Sequence, residues 1–276
     1  MNPNTYDMNE NSNQVVQATR EDLIIRSKMN IDFAENNLKQ LTNLCSSQEQ
    51  EQDYYLGLIR RQSIFNIDIW NLLKLRNHTN YISPLIICRC IIDDYIRLAY
   101  ILESSDPLET LTKMNADAYK KNLNNLEKLA KVNDEFFKKQ PPYYPTFELV
   151  TEIKEIFKSK EKHHKYFDNI NEFKLKSFPS TRAIVDSFPI DETGSGINRA
   201  FYLWRHLSDY IHFSNFSFEL EFDERNEAYN LNYIQEVLYY SYKTIKLAFR
   251  FFETRNNLEI IDVDNLEYFY SNAEKE

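Results

Sequence analysis

Residues 83–102 read SPLIICRCIIDDYIRLAYIL, and this stretch does most to decide the fold class. Ser83 followed by Pro84 is typical of a helix start, because serine caps free backbone N–H groups and proline suits the first helical position. From there to Leu102 the run is strongly apolar. The stretch therefore predicts a helix that belongs to a protein core.

Charged side chains interrupt this apolar helix. Arg89, Asp93 and Arg97 follow one another at four-residue spacing, so they share one helix face. Charges in so apolar a helix are costly if they are left unpaired. Either they bond to one another at the edge of the core, or they line a functional cleft.

Composition extends the helical prediction to the whole chain. The 276 residues are 42% hydrophobic and 14% aromatic, which excludes a disordered chain and suffices for a sizeable core. Only three glycines occur, and neither a G-x-G-x-x-G nor a G-x-x-x-x-G-K-[ST] motif is present, which argues against a nucleotide-binding α/β fold. The sequence predicts an all-α protein, a bundle of amphipathic helices.

The chain divides where its composition changes. Residues 1–18 are polar and Asn-rich and predict a disordered tail. Residues 19–255 predict a single helical domain, in which 107–195 form an insertion or a second lobe, and 256–276 predict an irregular acidic tail. Helices are expected over about 21–45, 54–75, 83–102, 147–175, 197–213 and 231–254, and residues 107–140 predict one helix or a pair of helices.

Two stretches depart from helical periodicity. Apolar and polar residues alternate over 216–222, which predicts a short extended or β segment after the helix that ends near 213. The run 177–195 contains Pro179, Pro189 and Gly194, and it predicts a long irregular connection.

Charge and cysteine content narrow the function classes. The net charge of −9 argues against a protein that coats nucleic acid through charge alone, but it leaves room for an enzyme that handles RNA at a local basic site. Cys45, Cys88 and Cys90 suit no disulfide framework and predict free thiols in a reducing cytoplasm. No apolar run approaches the ~20 residues of a membrane span, and no signal-peptide pattern is present. We expect a cytoplasmic protein without a membrane partner.

The candidate chemistry lies in residues 204–213, WRHLSDYIHF. Arg205 and His212 are seven positions apart, so on a helix they point the same way to within roughly 20°. Ser208 and Asp209 fall close to the same line. One helix face would carry a permanent cation, a carboxylate, a hydroxyl and a group that titrates near neutrality. Such a face can bind a phosphate and move a proton.

This stretch resembles a known signature. Arg205, the polar residue His206 and then His212 are similar to the R-polar-x(4–6)-H motif of the HEPN superfamily, the small all-α domains of prokaryotic defence and toxin systems. In the earlier helix, Arg89 and the acidic Asp93 four residues on resemble an uncharacterised bacterial branch of that superfamily, which usually has glutamate at the second position.

The resemblance implies metal-independent cleavage of RNA, with neither a cofactor nor a metal. A base takes the proton from a ribose 2′-OH, which attacks the adjacent phosphorus, and a cation stabilises the charge that grows on the phosphoryl oxygens. The resemblance gives His212 the acid/base role and makes Arg205 the phosphate clamp. It also implies a homodimer whose two motif helices form the cleft, an RNA substrate and, in a toxin system, a neutralising partner protein.

Five further residues would support this site. On the resemblance, Asp209 holds the imidazole in one tautomer, and His206 donates to the phosphate or carries a second proton. Ser208 belongs to the supporting set, and Arg89 with Asp93 forms a buried ion pair behind it.

Other interpretations stay open. Arg205 with Asp209 is also an ordinary i,i+4 helix pair, and His212 would sit favourably near a helix C-terminus in any case. The protein is then a non-catalytic helical module that binds a protein or RNA partner. A third alternative, a hydrolase of small phosphorylated molecules, lacks the clustered metal-ligating carboxylates usual for that chemistry.

Residues 154–165 form a second cationic stretch, rich in lysine. It predicts either a solvated helix face or a contact for an RNA backbone. His163 and His164 lie in it without cysteine partners or a third nearby histidine, so no metal site is expected there.

Overall fold

The computed structural model describes residues 18–42, 49–75, 82–137, 145–209 and 224–263. Within these ranges the protein is an all-α helical bundle with one small hairpin, as the sequence predicts. The α-helices are α1 (Arg20–Leu41), α2 (Gln50–Lys74), α3 (Ile82–Leu102), α4 (Pro107–Phe136), α5 (Phe147–Ser159), α6 (Thr181–Asp186), α7 (Glu192–Asp209) and α8 (Glu224–Asn256).

The chain splits into two compact units. Unit 1 consists of Met1–Tyr95 together with Ser195–Glu276, and unit 2 is the continuous stretch Ile96–Gly194. The boundaries fall inside α3 and α7. Unit 2 thus covers most of residues 107–195, the stretch that the sequence predicts to be either an insertion or a second lobe.

Polar side chains cap the N-termini of four helices. Thr19 and Asp22 form a capping box at α1, in which each side chain accepts from the other residue's backbone N–H. The side chains of Asp106, Thr146 and Ser180 accept backbone N–H groups at the starts of α4, α5 and α6. Each cap satisfies a donor that the helix itself leaves unpaired.

The core of unit 1 lies where α1, α2 and α8 pack against one another. Phe33 of α1 meets Tyr242 of α8 at 5.1 Å between ring centroids, and Tyr55 of α2 stacks on Phe251 of α8 at 4.5 Å. Removal of these large side chains from water is the main favourable contribution to the fold. Other fully buried side chains of this core are Leu23, Leu41, Ile59, Ile69, Leu73, Phe249 and Phe252.

A chain of polar side chains crosses this apolar core. Asn30 of α1 donates to the Asn66 side chain at 3.1 Å and to the Leu238 carbonyl at 2.9 Å. Asn66 donates to Ser241 at 2.7 Å, and Ser241 donates to the Gln62 side-chain oxygen at 2.9 Å. All four side chains are fully buried. Because their hydrogen bonds join α1, α2 and α8, the network fixes the register of these helices.

The C-terminal third of the chain holds α1 near both ends. The backbone N–H of Ala18 donates to the Asn232 side chain at 3.1 Å. At the other end, Asn37 donates to the Ile261 carbonyl at 2.8 Å and accepts from the Ile261 N–H at 2.9 Å. The backbone of the segment that follows α8 is therefore attached to the first helix by the side chain of Asn37.

Unit 2 has its own small core between α4, α5 and a hairpin. Strand β1 (Phe167–Asn169) pairs antiparallel with β2 (Lys174–Leu175), and Phe173 in the connection adopts a positive φ of 51°. A 3₁₀ helix, Glu161–Tyr166, links α5 to β1. The buried residues of this core are Ala116, Leu123, Phe157, Tyr166, Phe167 and Leu175.

The prediction of one helix over 147–175 is wrong, because α5 ends at Ser159. The two neighbouring histidines close its C-terminus. His163 Nδ1 lies 3.0 Å from the Phe157 carbonyl, and His164 Nε2 lies 3.1 Å from the Lys158 carbonyl. Helical carbonyls near a C-terminus lack partners inside the helix, and these two imidazoles supply donors.

Other predicted boundaries also shift. The prediction of an irregular connection over 177–195 is wrong, since it contains α6 and the first turn of α7. The predicted extended segment at 216–222 and nearly all of the predicted tail at 1–18 lie outside the described residues. Of 256–276, only residues 256–263 are described, and 257–263 form neither helix nor strand. None of the helices described has the length and apolar character needed to cross a bilayer.

Candidate functional site

The candidate motif lies on the last turns of α7, which ends at Asp209. Arg205, His206 and Ser208 belong to the described part of this helix, and Asp209 is its final residue. His212 lies outside the described residues, as does the side chain of Asp209. The structure therefore places the cation and the hydroxyl of the predicted site, but not its base.

Arg205 is exposed to solvent on α7. Among the residues that the structure describes, no carboxylate forms an ion pair with its guanidinium. A planar guanidinium with paired donors is well suited to grip two oxygens of a phosphate. The exposure of Arg205 leaves it accessible to such a group.

Arg89 of α3 binds α7 at two residues that flank Arg205 in the sequence, Ser208 and Trp204. Its Nε donates to Ser208 Oγ at 2.9 Å, and Ser208 donates in turn to the Trp204 carbonyl at 2.7 Å. The guanidinium carbon of Arg89 lies 4.5 Å from the centroid of the Trp204 ring. The sequence predicts Asp93 as the partner of Arg89, and this stays a prediction. The structure adds a hydrogen bond from Arg89 to Ser208 of the motif helix. Asp93 itself is half-buried on α3.

Trp204 extends this contact into the core of unit 1. Its ring stacks on buried Phe201 at 5.6 Å and an interplanar angle of 14°. A guanidinium over one aromatic ring, which itself stacks on a second, is a stable way to place a charge at the edge of a core. The contacts of Arg89 with Ser208 and Trp204 hold the end of α7 against α3, and Phe201 supports the Trp204 ring from the same helix.

His206 faces α8. Successive helix positions are about 100° apart, so His206 does not share the line of Arg205 and Ser208. Its ring lies 4.6 Å from that of Tyr233, and both residues are half-buried. The structure thus gives His206 a packing contact. The predicted roles of phosphate donor and second proton carrier stay predictions.

The contact between α7 and α8 continues towards the start of α7. Arg199 donates through Nε and Nη2 to Glu236 at 2.8 and 2.6 Å, a bidentate pair. This hydrogen bonding raises the pKa of Arg199 above its ordinary value. The Tyr240 hydroxyl donates to the Gly196 carbonyl at 3.4 Å. Since 196 lies against 240, 199 against 236 and 206 against 233, the two helices run antiparallel here.

Two exposed tyrosines on this surface are not among the site residues that the sequence predicts. Tyr202 is 56% exposed and Tyr229 is 61% exposed. The pKa of the nearby Tyr233 is raised, chiefly because its phenol is partly buried and secondly because Tyr202 lies close to it. The i,i+4 spacings of Tyr202 with His206 and of Tyr229 with Tyr233 were the signal available in the sequence.

A second missed residue is Asp94, the buried carboxylate of α3. It accepts from Gln62 Nε2 at 3.0 Å and lies 3.1 Å from Arg61 Nε. Close by, burial raises the pKa of the Cys90 thiol, and the Arg61 cation partly opposes this effect. Burial also raises the pKa of Cys88. Both cysteines are free thiols, as predicted, and neither is activated as a nucleophile.

Comparisons with known proteins leave the family open. No family model matches the chain, and no curated protein or solved structure matches it either. Across the described ranges, no group of three or more His, Cys, Asp or Glu side chains is arranged to hold a metal ion. Membership of the HEPN superfamily stays a prediction.

Proposed function

We propose that the protein is a cytoplasmic, metal-independent endoribonuclease of the prokaryotic defence or toxin type, related to the HEPN superfamily. The observation that carries this proposal is the exposure of Arg205 on the motif helix. Two other arginines of unit 1, Arg61 and Arg199, are engaged by carboxylates. Arg205 has no such partner in the described part of the chain and is available to an anionic substrate.

The proposed reaction is an internal transesterification of RNA. His212 accepts the proton of a ribose 2′-OH, and the 2′ oxygen forms a bond to the adjacent phosphorus. The bond from phosphorus to the 5′ oxygen breaks, and that oxygen takes up a proton. The products are a 2′,3′-cyclic phosphate and a 5′-hydroxyl. Arg205 stabilises the charge that develops on the phosphoryl oxygens.

Arg89 has a positioning role in this scheme. Its contacts with Ser208 and Trp204 brace α7 from the side of α3, and Arg205 lies on the turn between these two residues. In the proposed homodimer the two motif helices lie side by side, so each braced helix supplies one wall of the cleft.

Cleavage of a mixed RNA substrate in EDTA tests the proposal, with the wild type compared with Arg205→Ala and His212→Ala. We expect cutting by the wild type, and loss of at least about 100-fold in each variant. The matched controls are Arg182→Ala and His164→Ala, which remove the same two residue types from exposed positions of unit 2. Circular dichroism checks the folding of every variant. A wild type that cuts nothing, or site variants that cut as well as the controls, would refute the ribonuclease.

One observation favours the alternative of a non-catalytic helical module. Arg89, Ser208 and His206, three of the residues predicted for the site, make packing contacts between helices. A structural role for the motif would be indicated if the wild type binds RNA or a protein without cleaving, and if Arg205→Ala weakens only that binding.

A further inference from the structure

The surface between α7 and α8 carries four ring side chains that we name the aromatic ledge: Tyr202, His206, Tyr229 and Tyr233. Two come from one helix and two from the other. His206 and Tyr233 meet at 4.6 Å and form its floor, because both are half-buried. Tyr202 and Tyr229 are its outer members, with 56% and 61% of their surfaces exposed.

The exposure of these two rings sets them apart from the other described aromatic side chains of unit 1. Those side chains are buried or half-buried, and Phe33, Phe249 and Phe252 lie in the core. Rings that stay exposed on a surface are typical of binding sites, because their faces offer a large contact area. Both rings lie near Tyr233, because each of them contributes to the raised pKa of its phenol.

The ledge lies beside the cation of the proposed active site. Arg205 is three residues after Tyr202 and one before His206, so its side chain and that of Tyr202 are neighbours on the helix surface. Arg199 also lies near the ledge, 5.4 Å from the Tyr202 ring, but it is engaged by Glu236. A cation that is available beside a set of rings suits a ligand that alternates anionic and aromatic groups.

We propose that the aromatic ledge stacks the bases of single-stranded RNA whose phosphate is held by Arg205. This inference rests on the proposed function and names its substrate class. Bases of a single strand are free to stack on aromatic side chains, whereas those of a duplex already stack on one another. Because most of the contact is stacking, the affinity depends only weakly on salt, as expected for few phosphate contacts.

Fluorescence anisotropy of a labelled 2′-O-methyl RNA strand tests the proposal. The strand has no 2′-OH and cannot be cleaved, so the result does not depend on catalysis. We expect Tyr202→Leu and Tyr229→Leu each to weaken binding about tenfold, and Tyr202→Phe and Tyr229→Phe to bind as the wild type does. The control Phe136→Leu replaces a 71% exposed aromatic residue of unit 2 and should have no effect.

The outcomes separate this inference from the proposed function. If the strand binds through the ledge but natural RNA is not cleaved, the stacking role is supported and the proposed ribonuclease activity is refuted. Equal binding by the Leu variants and the wild type, or preference for a duplex of the same sequence, would overturn the stacking role. Loss of a protein contact in these Leu variants, with strand binding intact, would identify the ledge as a protein interface instead. Thermal unfolding of each variant shows whether lost binding reflects lost structure.

Discussion

Gln62 of α2 donates its side-chain N–H to the carboxylate of Asp94 on α3 at 3.0 Å, and both residues are buried. Through Gln62 this carboxylate joins the network that includes Ser241 and Asn66. Arg61 reaches the same carboxylate from the solvent side. The buried charge of α3 is thus compensated by one cation and one amide.

Replacement of Asp94 should therefore destabilise the protein. Asp94→Ala leaves the buried Gln62 amide without its acceptor, while the half-exposed Arg61 regains water, and we expect a loss of about 2 kcal/mol in the free energy of unfolding. Asp94→Asn keeps an acceptor and should lose about half as much. Urea denaturation followed by circular dichroism measures both. Equal stability of Asp94→Ala and the wild type would show that the contact contributes nothing.

Removal of Arg89 should loosen the end of α7. Trp204 becomes the sole tryptophan after Trp70→Phe, because the chain has two. In that background we expect Arg89→Ala to shift the Trp204 emission to the red, since the guanidinium no longer covers the ring, and to cost about 2 kcal/mol of stability. Arg89→Lys keeps the charge but not the Nε hydrogen bond to Ser208, so it should rescue little. An unchanged emission spectrum in Arg89→Ala would contradict the contact.

His163 should be the more important of the two histidines that close α5. Its ring stacks on Phe157 at 4.1 Å and also binds the Phe157 carbonyl. His164 is exposed and makes only the carbonyl contact. We expect His163→Ala to cost about 1–2 kcal/mol of unfolding free energy and His164→Ala about 0.5 kcal/mol. The reverse order in thermal or urea unfolding would argue against the stacked arrangement.

Tyr55 should make the protein sensitive to alkali. Burial, and then the nearby Glu51, raise the pKa of Tyr55 from 10.0 to about 12. The folded protein thus keeps this proton at a pH where the unfolded chain has lost it. The contribution of Tyr55 to the free energy of unfolding is fully present below about pH 10 and is lost as the pH rises from about 10 to 12. Tyr55→Phe has no phenol to titrate. Between about pH 10 and 12 its free energy of unfolding should therefore fall by roughly 2–3 kcal/mol less than that of the wild type.

Urea unfolding across this pH range measures the Tyr55 effect. Tyr202→Phe removes a phenol from an exposed position and is the matched control for the substitution itself. A slope that is the same in Tyr55→Phe and the wild type would contradict the assigned pKa.

The predictions from sequence were strongest where one local signal dominates. The predicted helix at 83–102 matches α3, Ile82–Leu102, because an apolar run with a strong start leaves few alternatives. The predicted helix at 147–175 failed because the interruption at Ser159 depends on packing between Phe157, His163 and the hairpin. Such contacts between neighbouring segments leave no periodic trace in the sequence.

The polar core and the aromatic ledge were missed for related reasons. Asn30, Gln62 and Asn66 are polar, and polar helix positions are ordinarily read as solvent-facing, so their burial became visible only with their partners in place. Tyr202 and Tyr229 belong to no sequence motif, so nothing in the sequence marks them as exposed. Spacing alone predicted the shared face of Arg205 and Ser208, but not that Ser208 binds Arg89.

The attachment of α1 by the end of the chain has a consequence for biosynthesis. Asn232 and Ile261, which bind Ala18 and Asn37, lie more than 190 residues downstream of them. Unit 2 is a continuous stretch and is translated in full before these residues are made. On the ribosome, the middle of the chain can fold first, while the N-terminal helices wait for their last partners to emerge. On the nascent chain, α1 and α2 can pack against each other, but they lack the partner surface of α8 until the last stage of synthesis.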